Sequence, residues 1–134
     1  MKFNSLILCE TCLVDARTNN ISFINIIEEI GLFGIPSVIP RATAVVQVEK
    51  DSEEEADTFS MELVADINGK EILRQPINAN FTGKLRTRVL LDINGFPLKE
   101  AGILKFSIIY DKKNVLESCI NINLPSPQVK VQQP

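Results

Sequence analysis

Apolar and polar residues alternate with a period of two along most of the chain, and that period puts every second side chain on one face of a strand. The clearest case is Thr58 to Asn68, where Phe59, Met61, Leu63, Ala65 and Ile67 interleave with Thr58, Ser60, Glu62, Asp66 and Asn68. Asn68-Gly69 follows with the residue pair of a tight type I′ hairpin, returning through Glu71 to Ile77. A first strand is expected over Phe3 to Glu10, extending towards Leu13, with Phe3, Ser5, Ile7 and Cys9 on one face and Leu6 and Leu8 on the other. The polar cluster from Asp15 to Asn20 then closes a turn, because asparagine tolerates positive φ.

Ile21 to Ile30 holds five isoleucines in ten residues. Phe23, Ile27 and Ile30 would suit one face of a helix capped by Gly31, but residues stiff at the β-carbon favour a strand. Gly31 to Pro40 carries two glycines and two prolines, and is expected to be an apolar loop without regular pairing through most of its length. Further strands are predicted over Ala42 to Glu49, Leu85 to Asn94, Ile103 to Asp111 and Val115 to Leu124. Leu104, Phe106, Ile108 and Tyr110 should point inward, and Lys112-Lys113-Asn114 should make the last turn. Phe96 to Gly102 reads as a connector.

Seven to eight such strands imply an all-β fold, an antiparallel β-sandwich with Greek-key or immunoglobulin-like connections, with a small β-barrel as the alternative. Residues 1–125 read as one domain and Ser126 to Pro134, with three glutamines and two prolines, as a flexible tail. The Asp-Ile-Asn-Gly tetrapeptide occurs at 66–69 and again at 92–95, but the flanks differ, so it marks shared turn chemistry and no repeat.

Composition narrows the function. A chain of 134 residues with 45% hydrophobic content can build a core without metal or disulfide staples. A net charge of -3 gives no general attraction to phosphate backbones, so no nucleic acid is expected as partner. Ser5 to Cys9 is too short an apolar run for a signal core or a membrane span, and Leu8 stands where a lipoprotein cleavage site wants a small residue. The expected address is the cytoplasm, with no membrane contact.

Cys9 and Cys12 have the Cys-x-x-Cys spacing, yet with Cys119 they are the only cysteines and there is no histidine, short of a four-ligand zinc site. On one strand, positions three apart face opposite sides about 10 Å apart, beyond disulfide reach. The three are expected to be buried structural thiols, and no cofactor is expected.

Leu6-Ile7-Leu8-Cys9-Glu10, then Thr18 to Ile30 and Ile35-Pro36-Ser37-Val38-Ile39-Pro40, resemble a family of short uncharacterised bacterial proteins. Those open with a strand ending in cysteine and an acidic residue, continue with an Asn-x-Ile/Leu-Ser-x-x-Asn-Ile strand, and then have a proline-bounded loop. The likeness returns at Phe96-Pro97 and at Gly102 to Phe106, similar to the Gly-x-Tyr-x-Phe opening of the penultimate strand in small sandwiches, with Leu104 where an aromatic is usual. It spans most of residues 6 to 124. The resemblance implies a β-sandwich without an assigned activity, and it carries over no catalytic residues.

Four candidate chemistries remain. Asp51, Glu53, Glu54, Glu55 and Asp57 could gather calcium at one end of a sandwich, as in C2-type modules, though a run of like charges is also the mark of a solvated hairpin. Sugar binding wants exposed aromatic platforms, and Tyr110, the only candidate, alternates with core residues. Catalysis needs a tuned base or nucleophile, and without histidine no pairing is visible among carboxylates, lysines and cysteines, so no enzyme is expected. The apolar loop residues Leu32, Phe33, Ile35, Val38 and Ile39 either close over the core or stand out as a surface that binds a partner protein or a second copy. A sandwich edge offers a second route to association. The expected function is a noncatalytic interaction or assembly module, with a sandwich that binds calcium, a small polar ligand or carbohydrate at its end loops as the alternative.

Overall fold

The computed structural model describes residues 1–124, so the expected tail Ser126 to Pro134 lies outside the described residues. In chain order the strands are β1 Lys2–Val14, β2 Ile21–Ile26, β3 Glu29–Gly31, β4 Ser37–Ile39, β5 Thr43–Glu49, β6 Thr58–Ile67, β7 Lys70–Asn80, β8 Arg86–Asp92, β9 Phe96–Leu98, β10 Gly102–Tyr110 and β11 Lys113–Asn123. One sheet has the order β2-β1-β5-β8, a second β3-β11-β10-β6-β7, and β4 pairs with β9 in a separate ribbon. The pairing is antiparallel except between β3 and β11. The sheets do not close on each other, so the fold is the all-β sandwich and not the barrel. The eight long strands are those expected from the alternation; the three additional ones have three residues each.

Greek-key character comes from the excursion between β5 and β8. These two are neighbours in the first sheet, while the chain between them crosses to the second sheet and makes the β6–β7 hairpin. Its turn has Asn68 at φ 50° and Gly69 at φ 84°, the left-handed pair of a type I′ hairpin, as the Asn-Gly dipeptide demands. The last hairpin turns one residue earlier than expected, with positive φ at Asp111 and Lys112 and Tyr110 opposite Lys113.

The core lies between the inner faces. Leu6, Leu8, Ala44, Val46 and Val48 of the first sheet meet Leu63, Ala65, Ile67, Leu104, Phe106, Ile108 and Ile120 of the second. Phe3, Phe59, Phe81 and Tyr110 stack at one end, with centroid separations from 5.0 to 6.3 Å. Tyr110 belongs to this aromatic packing, as its alternation suggested.

Two expectations are corrected here. Ile21 to Ile30 is neither one strand nor a helix: β2 stops at Ile26, and Glu29–Gly31 joins the opposite sheet beside β11. Asn25 takes φ 56°, a left-handed conformation that short polar residues reach most easily, just before the chain changes sheets. Gly31 to Pro40 is not wholly unpaired, because Ser37, Val38 and Ile39 face Leu98, Pro97 and Phe96. Three pairs suffice to tie the loop to the connector between β8 and β10.

Candidate interaction site

The two regions singled out by sequence sit at opposite ends of β5, the apolar loop near Thr43 and the acidic stretch beyond Glu49. At the acidic end, opposite charges of the same chain take up three of the five carboxylates, Asp51, Glu55 and Asp57. The Met1 amino group bonds Asp51 and Glu55, and the buried Lys50 ammonium bonds Asp57. Asp57 also accepts from Gly83 N at 2.9 Å, and its carboxyl is held below the usual range, first by Lys50 and then by this amide. Lys50 Nζ lies 5.1 Å from the centre of the Phe81 ring. Lys50, Asp57 and Phe81 thus form a clamp between the two loops at this end. Among the described residues no three acidic, cysteine or histidine side chains converge as metal ligands.

The cysteines separate. Cys9 is buried, Cys12 half-buried and Cys119 exposed, and all three are free thiols. The expectation of three buried thiols therefore holds only for Cys9, because Cys119 stands opposite Lys105 on the outward side of β11. Burial, followed by the neighbouring Cys12, pushes the Cys9 thiol up and makes it a poor nucleophile.

The apolar loop divides residue by residue. Leu32 is 7% exposed and Ile39 is buried, both part of the core, so these two serve the fold. Phe33, between them in sequence, is fully exposed at 101%, with Val38 at 52% and Ile35 also exposed. The backbone explains the division. Leu32 N donates to Asn123 O at 2.8 Å, which continues the β3–β11 pairing and turns Leu32 inward, while the β4–β9 ribbon seats Ile39 opposite Phe96. Phe33 to Pro36 span the gap between those two anchors. A cleft of about 990 Å³ opens beside them.

Sequence reasoning did not assign the remaining walls of that cleft. Ile30 and Glu29 line it from β3, Glu10 and Asn25 from β1 and β2, and Arg41 from the segment between β4 and β5. Glu10 Oε2 accepts from Asn25 Nδ2 at 2.9 Å, which fixes one corner of the rim. Periodicity shows which way a side chain points along its own strand, but not which strands share an end of the sandwich; that signal was absent. No buried side-chain polar atom among the described residues lacks a hydrogen-bond partner.

The outer faces differ in kind. On β6, β7, β10 and β11, Arg74 pairs with Glu71 at 2.7 Å and Glu62 at 3.0 Å, and Lys105 lies 3.8 Å from Asp66 and 3.9 Å from Glu117. The register of the other sheet places Ile7, Val45 and Leu90 in one outward row and Ile26 beside Cys9 in the next, with Ile24, Ile26 and Leu90 exposed. Apolar surface is thus concentrated on the β2-β1-β5-β8 side and at the loop end.

No helix in the described residues is long and apolar enough to cross a membrane. No curated protein matches the sequence. Among solved structures, the CARDB domain of a Pyrococcus furiosus protein, in complex with di-metal ions, matches over 93% of this chain and 98% of that chain, with a TM-score of 0.41 and 11% identity. A family model described as a family of unknown function, DUF6941, matches residues 4–123, and the chain belongs to that family.

Proposed function

We propose that this protein is a noncatalytic β-sandwich that docks another polypeptide on the lip formed by Phe33, Ile35 and Val38. The observation that carries the reading is the full exposure of Phe33 on a segment anchored at both ends. An unanchored loop would fold such a ring back onto apolar surface, since burying a phenylalanine side chain is worth about 1.5–3 kcal/mol. Here Leu32 and Ile39 hold the segment and keep the ring outside. Pre-ordering of this kind lowers the entropy lost on association, so the same buried area yields more affinity. The amphipathic surroundings, apolar at the lip and charged at Glu10, Glu29 and Arg41, suit a protein surface with an apolar centre and polar rim.

The test is site-specific cross-linking in extracts of the native cell. A photoreactive residue at position 33 is expected to trap a polypeptide, while one at position 117, on the charged outer face, is expected to trap none. Equal trapping from both positions, or none from position 33, would refute the proposal.

A further inference from the structure

We infer that the β1–β2 hairpin is a latched lid, folded back over the outer face of the first sheet, hinged at Glu10 and Asn25 and held at its tip by Arg88. Ser5, Gln47 and Arg88 share one cross-strand row, while β1 runs on past Cys9 to Val14 before it turns. On a straight β1, the nine residues from Ser5 to Val14 would set the turn about 30 Å from that row. Yet Arg88 Nη2 donates to Asn19 O at 3.0 Å and to Asn19 Oδ1 at 2.9 Å. No arginine side chain spans such a gap, so the ribbon has doubled back. The corner is at Glu10 and Asn25: Asn25 takes φ 56°, its Nδ2 donates to Glu10 Oε2 at 2.9 Å, and hairpin pairing flanks it at Cys9 with Ile26 and Thr11 with Ile24. Val14 lies four residues beyond Glu10 and Ser5 five before it, so a ribbon turned over here carries its tip to the Arg88 row.

Burial shows independently what the ribbon covers. Val45 has the outward phase of β5, between Ile7 and Leu90, where an uncovered sheet would leave it facing water, yet it is 0% exposed. Cys9 and Thr43, outward in the row nearest the corner, are buried as well, whereas Gln47 and Glu49 on the far side are only half-buried. Outward burial thus fades with distance from the corner, as a cover folded from that end requires.

The lid is joined to the body more weakly than the body's strands are to one another. β2 pairs with β1 alone, Leu13, Val14, Ile24 and Ile26 stay about half exposed, and both latch hydrogen bonds lie at the surface. The tip is ordered by its own bonds, Asp15 N to Asn20 O and Asn19 N to Asp15 O, each 2.8 Å, and so presents two oxygens of Asn19 to one guanidinium. A two-stranded ribbon lifted from its seat is marginal in water. Release of the latch and loss of the outer hairpin pairs therefore form one local opening, with a free energy below that of global unfolding. It uncovers the apolar row Ile7, Val45 and Leu90.

Native-state hydrogen exchange in increasing, sub-denaturing urea reads the opening. Amides in the pairing of Thr11 to Val14 with Ile21 to Ile24 are expected to exchange with little urea dependence, and those of β6 and β10 with the steep dependence of global unfolding. Arg88→Ala should speed exchange in the lid about tenfold, the effect of losing two exposed hydrogen bonds, and leave β6 and β10 unchanged. Asn19→Gly keeps the backbone acceptor and the positive φ but removes the side-chain oxygen, and should give a smaller increase confined to the same amides. Lid amides with the urea dependence of β6 and β10 would overturn the inference, because the hairpin would then open only with the whole fold. An Arg88→Ala variant with unchanged lid exchange, or with β6 and β10 accelerated equally, would overturn the latch.

Discussion

Truncating Leu32 and Phe33 to alanine in separate variants sets two adjacent apolar residues against each other. Leu32 is 7% exposed and packs in the core, whereas Phe33 is 101% exposed and packs against nothing. Removing a buried leucine side chain costs the lost transfer free energy plus a cavity, in general about 2–5 kcal/mol. Leu32 sits at the end of the sandwich beside an open cleft, where neighbours can relax into part of the space, which places it towards the low end at about 2–3 kcal/mol. With an unfolding entropy of about 2.1 cal/mol/K per residue, that loss lowers Tm by about 7–11 °C for 134 residues. Phe33→Ala should stay within about 0.5 kcal/mol, a shift under about 2 °C. Paired thermal and urea melts of dilute protein measure both. If Phe33→Ala costs as much as Leu32→Ala, the ring is part of the core and the docking lip does not exist; if Leu32→Ala is neutral, the anchor that holds the ring outside is not an anchor.

Gly102 offers a backbone test. It has φ 133°, and an added Cβ would stand 2.0 Å from Asn68 Oδ1, the atom that accepts from Ile103 N at 3.0 Å. Gly102→Ala should therefore cost about 2–4 kcal/mol through strain and lost hydrogen bonds, read as a lower urea midpoint; an unchanged midpoint would show that the Asn68 carboxamide moves aside freely. Acid stability tests the clamp at the other end. Lys50 holds the Asp57 carboxyl below its usual range and Arg86 does the same for Glu49, so their stabilisation is complete above the unfolded carboxylate pKa and is lost as pH falls through the lower folded values. Asp57→Asn should flatten the acid limb of the stability profile measured by urea melts, and a limb as steep as that of wild type would remove Asp57 from the explanation. Iodoacetamide labelling read by mass spectrometry should modify exposed Cys119 in the native protein and buried Cys9 only after unfolding; early labelling of Cys9 would contradict its burial.

Long strands were legible in the sequence because their burial is one-sided. Phe59, Met61, Leu63, Ala65 and Ile67 all face or flank the core as their alternation predicts, and the Asn68-Gly69 turn has the positive φ values its residues permit. The chain's change of sheets after Ile26 was not legible. Isoleucine fits a pleat in either sheet, and the break is made by Asn25 at φ 56°, a residue that occupies this region without requiring it. The β4–β9 ribbon was hidden for another reason: three residues are too few to show a period, and Pro97 sits in the middle of β9, where proline normally argues against a strand. Of the candidate site, the apolar loop could be located, but whether Leu32 or Phe33 pointed inward depended on the β3–β11 pairing, a contact between residues some ninety positions apart.

The free edges of the sheets bear on where association can occur. An edge strand invites a strand from another chain unless charge, proline or a kink interferes. β7, at one edge of the second sheet, carries Lys70, Glu71, Arg74 and Pro76; β8, at one edge of the first, carries Arg86 and Arg88; and β2, at its other edge, is kinked at Asn25. The remaining edge is β3 for three residues only, which run into the cleft itself, and beyond it β11 from Lys113 to Ile120 has, among the described residues, no strand paired on that side. Charge, proline and a kink thus stand against strand addition at β7, β8 and β2, while the loop end combines a projecting ring, a hollow and mixed charge. On the docking role proposed above, the same devices that guard those strands leave side-chain contact at that end as the route of association.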